Sequence, residues 1–595
     1  MKKTVYKSLL MALIIGSVGG ATSCTDLDET LYSDLNETNI DLSNEADMQA
    51  LMGQAIAQYR YFQLSWFGSW ELNEQCTDQY CVPYRIGIGW GDLYVNLHKH
   101  NWNYNVGHAE NIWLYAYKCI GYCNNCLDHL PESRTEDRAQ MRFFRAMTYY
   151  QLLDYFRNIP LLTTMDTPAG YLPEQSNAQQ VFEFVVSELE AIKEDLGTTK
   201  YYAWGNKYVA CMALAKLYLN KNVYLDGLVT PDNTGYEHAL AEVNTIINEG
   251  GYELSASYSD NFKIDLSTNK EVIFAVPQDK THASHFGLDC YCFSNTGKQA
   301  YGFTTNCTNG SAAIPQWIDT YADTDHRLTD TWIGGGWLQG GTFHFDTRYA
   351  GILQSDGYQR MYTTDGGSNS GDPLPFADDD WTGTGMLVYN KEIHSMDNPG
   401  AYQQEGYRMV KFEFDPSAGT HATDIVIFRY ADALMIKAEC LLRLGQDKET
   451  AAQLVTEVRK RSFDNLSDAT RTVADLEGGS VYAYGHRECT DSNCKTFSTW
   501  TKTNEGGSDI ILGGLLDDLG WEFCGEQHRR QDLIRFQMTD GRNVFNGKSW
   551  FCKDATTETH WNIFPIPKLA LEANIKMQQN PGYSGAESDS ASTAD

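Results

Sequence analysis

Apolar and aromatic positions recur at three- and four-residue intervals through residues 45–65 and again through 106–130, and Pro131 closes the second run. That period gathers the apolar side chains into one stripe of an α-helix, so the spacing predicts two helices, the second ended by its proline. A third stripe, Phe143, Ala146, Met147, Tyr150 and Leu153, stops at Pro160. Others follow at Val209, Met212, Ala213 and Leu217, and at Ala239, Val243, Ile246 and Ile247. Late in the chain the pattern returns at Tyr430, Ala433, Leu434, Ala438, Leu441 and Leu442, then at Ala451, Leu454, Val455 and Val458. The stretches 206–224 with 235–250, and 425–445 with 448–463, each fit two helices and a turn into about 34 residues, the length of a tetratricopeptide unit. Such pairs bury their apolar faces by stacking, so the fold class expected is mainly α, on a tetratricopeptide-like helical-repeat scaffold.

Between about 255 and 425 the helical period lapses, and Gly, Asn, Asp and aromatic residues surround short apolar runs such as Val272–Val276. Long loops and a few short strands are expected there. Loops on a rigid scaffold usually carry recognition, so this stretch and the loop 66–104 are the expected ligand-binding regions. The Ser- and Ala-rich tail 584–595 is expected to fray.

The N-terminus has a different logic. Lys2, Lys3 and Lys7 precede an apolar run from Leu9 to Val18, then small residues lead to Cys24, the arrangement of a secretory signal over residues 1–23. The run is too short to span a bilayer. Gly20, Ala21, Thr22 and Ser23 resemble a lipoprotein cleavage site, with Ala21 where Leu is usual, so lipidation of Cys24 is expected. Asp26, Asp28 and Glu29 then resemble the surface-export signal of Bacteroidetes lipoproteins.

The formal charge of −32 becomes −35 when Lys2, Lys3 and Lys7 leave with the signal. A surface this acidic repels phosphate backbones, so nucleic acid is not an expected partner. Aromatic residues make up 13% of the chain, with 14 Trp and 36 Tyr, more than packing a helical core requires. A sugar ring presents a C–H face to an aromatic plane and a hydroxyl rim to amides and carboxylates, so an aromatic-rich exported protein fits carbohydrate binding.

Of 15 cysteines, Cys24 leaves 14 in a compartment where disulfides form, with close pairs at Cys76/Cys81, Cys290/Cys292 and Cys489/Cys494. Cys119, Cys123 and Cys126 share one helical face but lack an evident fourth ligand, so they read as small buried residues rather than a zinc site. No His-Glu-x-x-His spacing occurs among the 14 histidines. Asp378, Asp379 and Asp380 offer oxygens to a structural calcium, a solvated acidic turn being the plainer reading. No cofactor and no other metal is expected.

Several segments resemble the SusD/RagB family, in its order: Asn111–Leu130 (NIWLYAYKCIGYCNNCLDHL), Ala139–Leu162 (AQMRFFRAMTYYQLLDYFRNIPLL), Tyr321–Leu328 (YADTDHRL), Asp424–Gly445 (DIVIFRYADALMIKAECLLRLG), Trp521–Phe536 (WEFCGEQHRRQDLIRF), and Ile563–Tyr583 with Pro565, Ile566, Pro567, Asn580, Pro581 and Gly582. The resemblance implies one SusD-like domain over 24–595, its helical scaffold at about 40–255 and 420–583 and a loop-rich insertion at about 256–420. It implies a non-catalytic protein, lipid-anchored through Cys24 on the outer face of the outer membrane, that captures oligo- or polysaccharide for a SusC-like TonB-dependent transporter.

In this setting Arg429, Glu439, Glu522, Arg530 and Asp532 are expected to lock helices together. Trp66, Trp70, Trp90 and Trp102 in the first loop, and Tyr301, Phe303, Trp332 and Trp337 in the second, are the candidates for stacking on sugar. Asn96 and Asn101, with Arg85, Asp92, Asn103, Asn306 and Asn309, are candidates for its hydroxyls. Two rival readings are a RagB-type capture protein for peptide or glycopeptide and a glycoside hydrolase, which needs two carboxylates across the scissile bond.

Overall fold

The computed structural model describes residues 44–85, 88, 90–281, 287–298, 305–339, 342–349, 385, 387–397, 400–415, 422–489 and 500–584. Cys24, Tyr301, Phe303 and Asp378–Asp380 lie outside the described residues.

The predicted helices form where the stripes lie. Asn44 caps α1 (Glu45–Gln63) through its side chain, which accepts from the Ala46 N–H. After the short α2 (Ser69–Glu74), β1 (Tyr80–Cys81) and α3 (Asp92–His98) come the long α4 (Gly107–His129) and α5 (Thr135–Phe156). Helix α6 (Ala178–Ile192) adds to those the spacing predicts: Val181, Val185, Leu189 and Ile192 are its buried stripe, and Asn177 and Gln180 close a capping box at its start. Helix α7 (Lys207–Leu219) is buried nearly all round, the signature of a central rod. It is followed by α8 (Thr234–Glu249).

Helices α1, α4, α5, α6, α7 and α8 pack in succession, α4 against α1 and each later helix against the one before it. The insertion then leaves and returns. It contains β2 (Val272–Val276), α9 (Leu288–Cys292), β3 (Ala312–Ala313), β4 (Trp332–Ile333), the hairpin β5–β6 (Gly336–Gln339 and Thr342–Phe345), β7 (Arg408–Met409) and β8 (Ile425–Arg429). Strands β2 and β8 pair antiparallel, Ile425 against Val276 and Arg429 against Val272. That zipper brings the two ends of the insertion together, so α10 (Tyr430–Leu444) packs on α8 as if the chain had not been interrupted. The helix expected from residue 425 thus begins only at Tyr430, because β-branched and aromatic Ile425–Phe428 find a strand partner in β2.

Gly445, at φ +65°, ends α10 in the left-handed conformation that a glycine adopts without strain. Helix α11 (Lys448–Arg459) completes the pair, and α12 (Gly513–Glu522) and α13 (Arg529–Arg535) follow, Glu522 at the end of α12 meeting Arg429 at the end of β8.

Buried charges fasten these layers. Arg429 bridges Glu271, Glu522 and Glu526 at 2.9, 2.7 and 2.7 Å. Glu439 takes Arg535 and Arg443, and Asp154 takes Arg530. Although burial pushes its pKa up, the Arg461, Arg429 and Arg327 guanidiniums hold the Glu522 carboxyl well below the usual range. Cys76, Cys81, Cys119, Cys123 and Cys126 are buried free thiols, and no metal-holding group of His, Cys, Asp or Glu occurs among the described residues.

Candidate functional site

The chain leaves α1 through a tight turn, in which the Gly68 N–H donates to the Ser65 carbonyl at 3.0 Å. Trp66 occupies the corner of that turn and is 42% exposed. Its ring stacks on Trp90, centroids 5.9 Å apart and planes 28° from parallel. Trp90, half-buried before α3, is pinned by an indole N–H donated to the Thr308 carbonyl at 2.8 Å. The edges of Tyr94 and Tyr291 support it at 5.2 and 5.5 Å. The Asn111 amide of α4 donates to the Trp66 carbonyl at 3.3 Å. Two loops, two helices and the insertion therefore meet at one indole pair that opens to solvent.

Beneath it runs a column of rings. Trp66 stands edge-on to Tyr291 at 5.6 Å, Tyr291 meets Trp70 at 6.3 Å, Trp70 meets Tyr80 at 5.7 Å, and Tyr80 meets Trp332 at 5.0 Å. Exposure falls along the column, from Trp66 to 1% for Trp70 and 0% for Trp332. Trp70 and Trp332 are thus corrected from sugar-stacking candidates to core residues that stiffen the base of the pair.

Trp102 is likewise buried, its indole N–H donated to the Tyr583 hydroxyl at 2.7 Å and its ring packed on Trp561 and Phe564. It joins the C-terminal segment to the scaffold and is withdrawn as a ligand contact. Trp337, in the β5–β6 hairpin, is covered by His344 at 5.9 Å and by the Lys391 ammonium at 5.3 Å.

The polar candidates divide in the same way. Asn101 bonds Asn96 through both backbone and side chain, so the two amides serve each other at the end of α3. Arg85 is buried and donates to the carbonyls of Tyr402, Glu405 and Gly310, while buried Asn309 accepts from Arg408. Both are structural.

Gly310 shows how closely the insertion approaches. A Cβ there would lie 2.7 Å from the Tyr291 ring and 3.0 Å from Trp90, so only glycine lets the loop pass behind the platform. The supporting residues Tyr94, Tyr291 and Phe67 were unmarked in the sequence. Only Tyr94 carried a local signal, four residues past Trp90.

The site is a hydrophobic plane with amide and carbonyl neighbours. Burial, then the neighbouring Glu71 carboxylate, raises Tyr94 well above the usual phenol range, so it stays a hydrogen-bond donor. Among the described residues no helix is long and apolar enough to cross a membrane.

Comparison with known proteins bears on this arrangement. A family model described as the SusD family matches residues 270–583, and one described as "Starch-binding associating with outer membrane" matches 27–219. The chain is 25% identical over 472 residues to the starch-binding protein SusD of Bacteroides thetaiotaomicron, covering 75% of this chain and 72% of that one. The structure of surface glycan-binding protein A from Bacteroides thetaiotaomicron in complex with laminarihexaose superposes with a TM-score of 0.63 at 15% identity, over 90% of this chain and 99% of that one. A SusD superfamily protein from Parabacteroides distasonis gives 0.63 at 16% identity, again over 90% and 99%. At such identities these two structures establish the shared fold.

Proposed function

The chain belongs to the SusD family, and from that premise we propose that it is a surface lipoprotein whose Trp66–Trp90 platform captures oligo- or polysaccharide and passes it, uncleaved, to a SusC-like TonB-dependent transporter of the outer membrane. One observation carries the reading: an indole left 42% exposed while its neighbours fix its plane. Exposed apolar surface is a cost to the free protein that a sugar face repays, and a ring already fixed loses little freedom on binding.

Glu71, the carboxylate that touches the supporting rings, is fully buried and bonded to Tyr94, His108 and the Phe67 N–H, which supports binding without hydrolysis. Stacking and amide hydrogen bonds need no cofactor. Lipid attachment at Cys24 supplies the tether, raising the local ligand concentration at the transporter's mouth.

The test is a binding screen of the purified protein against polysaccharide and peptide panels, with a reducing-sugar assay run beside it. A retained polysaccharide, with affinity unchanged by chelator and no sugar released, is the expected result. Retention of peptide alone transfers the site to the RagB-type reading, and sustained sugar release overturns the binding role. Palmitate labelling that disappears in C24S checks the anchor.

A further inference from the structure

Phe67, beside Trp66, has φ +58°, a left-handed conformation that residues other than Gly and Asn avoid. A substitution at the following Gly68 has no room, because a Cβ there would sit 2.9 Å from Ser65 backbone. The turn that thrusts Trp66 into solvent is therefore an unfavourable local structure held from outside. The holder is visible. The Phe67 N–H donates to Glu71 Oε2 at 2.8 Å, and the Phe67 ring meets the edge of His108 at 4.9 Å.

The same carboxylate reaches the other half of the platform. Tyr94, the ring under Trp90, donates its hydroxyl to Glu71 at 3.1 and 3.2 Å. His108 Nε2 completes the set at 3.0 Å, from the helix whose Asn111 holds the Trp66 carbonyl. A fully buried carboxylate is costly unless its lone pairs are filled, and an apolar residue in so short a helix as α2 would have been cheaper. Its partners are the backbone next to one stacking ring and the ring beneath the other.

We infer that Glu71 is the positioning residue of the glycan platform: one buried carboxylate fixes the distance and angle between Trp66 and Trp90 without touching ligand. The inference rests on the reading that this pair stacks on sugar. It adds that affinity depends on a residue no ligand reaches.

Two indoles this close couple in circular dichroism to the extent that their transition moments are skewed, and the couplet is isolated as the wild-type spectrum minus that of W66F. E71Q keeps the side chain's shape but puts an N–H₂ where donors converge. The expected result is a diminished or inverted couplet and about tenfold weaker binding of the polysaccharide that W66A also weakens, as for loss of one charge-assisted hydrogen bond. An undiminished couplet with unchanged affinity overturns the inference. Should E71Q fail to fold, Y94F keeps the ring and removes one donor; a smaller change in the same direction supports the role, and a wild-type couplet refutes it. If W66A and W90A bind glycan as the wild type does, the site reading falls instead, while the ligand-free couplet still judges Glu71.

Discussion

Trp66→Ala separates a ligand contact from a core residue, and its size follows from exposure. A tryptophan side chain presents about 250 Å², and 42% of Trp66 is open, which leaves on the order of 100 Å² for a sugar to cover. At about 25 cal/mol per Å² full coverage is worth about 2.5 kcal/mol. A sugar face covers roughly half of that plane, so W66A should weaken binding by about 1–1.5 kcal/mol, or about tenfold. The part of Trp66 already packed on Trp90 and Tyr291 is lost too, so W66A should also cost stability, by up to about 3.5 kcal/mol at the same coefficient. Trp332, fully buried at the foot of the same ring column, has no face for a sugar to cover: W332A should cost about 3–5 kcal/mol of stability through the cavity it leaves, with no loss of affinity in the protein that stays folded. Calorimetric titration with the best polysaccharide of the screen, beside thermal unfolding of each variant, reads both quantities. Wild-type affinity in W66A, or affinity lost only in step with unfolding, refutes the reasoning.

Gly310→Ala should also weaken binding and cost about 1–3 kcal/mol of stability, since its Cβ, 2.7 Å from the buried Tyr291 ring and 3.0 Å from Trp90, must displace both; titration and thermal unfolding of G310A matching the wild type would contradict this. Arg429→Met removes the cation shared by three buried carboxylates, leaving Glu271 to Arg461, Glu522 to Arg461 and Arg327, and Glu526 to Lys411, so urea unfolding should show a loss of about 3–5 kcal/mol. By contrast K270A, which cuts an exposed pair to Glu253, should change stability by less than about 1 kcal/mol. Burial raises Glu74 from 4.5 to about 8. The folded carboxyl therefore keeps its proton where the unfolded one has lost it, and stability falls as pH rises through that window. Thermal midpoints of E74Q should fall less steeply than those of the wild type between those values, and equal slopes would remove Glu74 from the account.

Local order determined the helices and their caps. A 3.6-residue stripe at Phe143–Leu153 or Ala433–Leu442 marks the stretch as a helix, so those elements were legible, as was the buried service of Arg429, Glu439 and Arg530; that both helices are sealed nearly all round came from their neighbours. The order of family-like segments likewise implied the scaffold. Only tertiary structure decided the site. Trp66, Trp70, Trp90, Trp102 and Trp332 all lie in stretches of similar composition, yet one is open to solvent, one half-covered and three sealed. Burial is set by partners hundreds of residues away, Tyr291 and Thr308 for Trp90 and Tyr583 for Trp102, which no local period encodes. The strained turn at Phe67 is partly of this kind: its N–H bonds Glu71 within the same stretch of chain, but the Tyr94 and His108 donors that fill the rest of that carboxylate arrive only once α3 and α4 have packed.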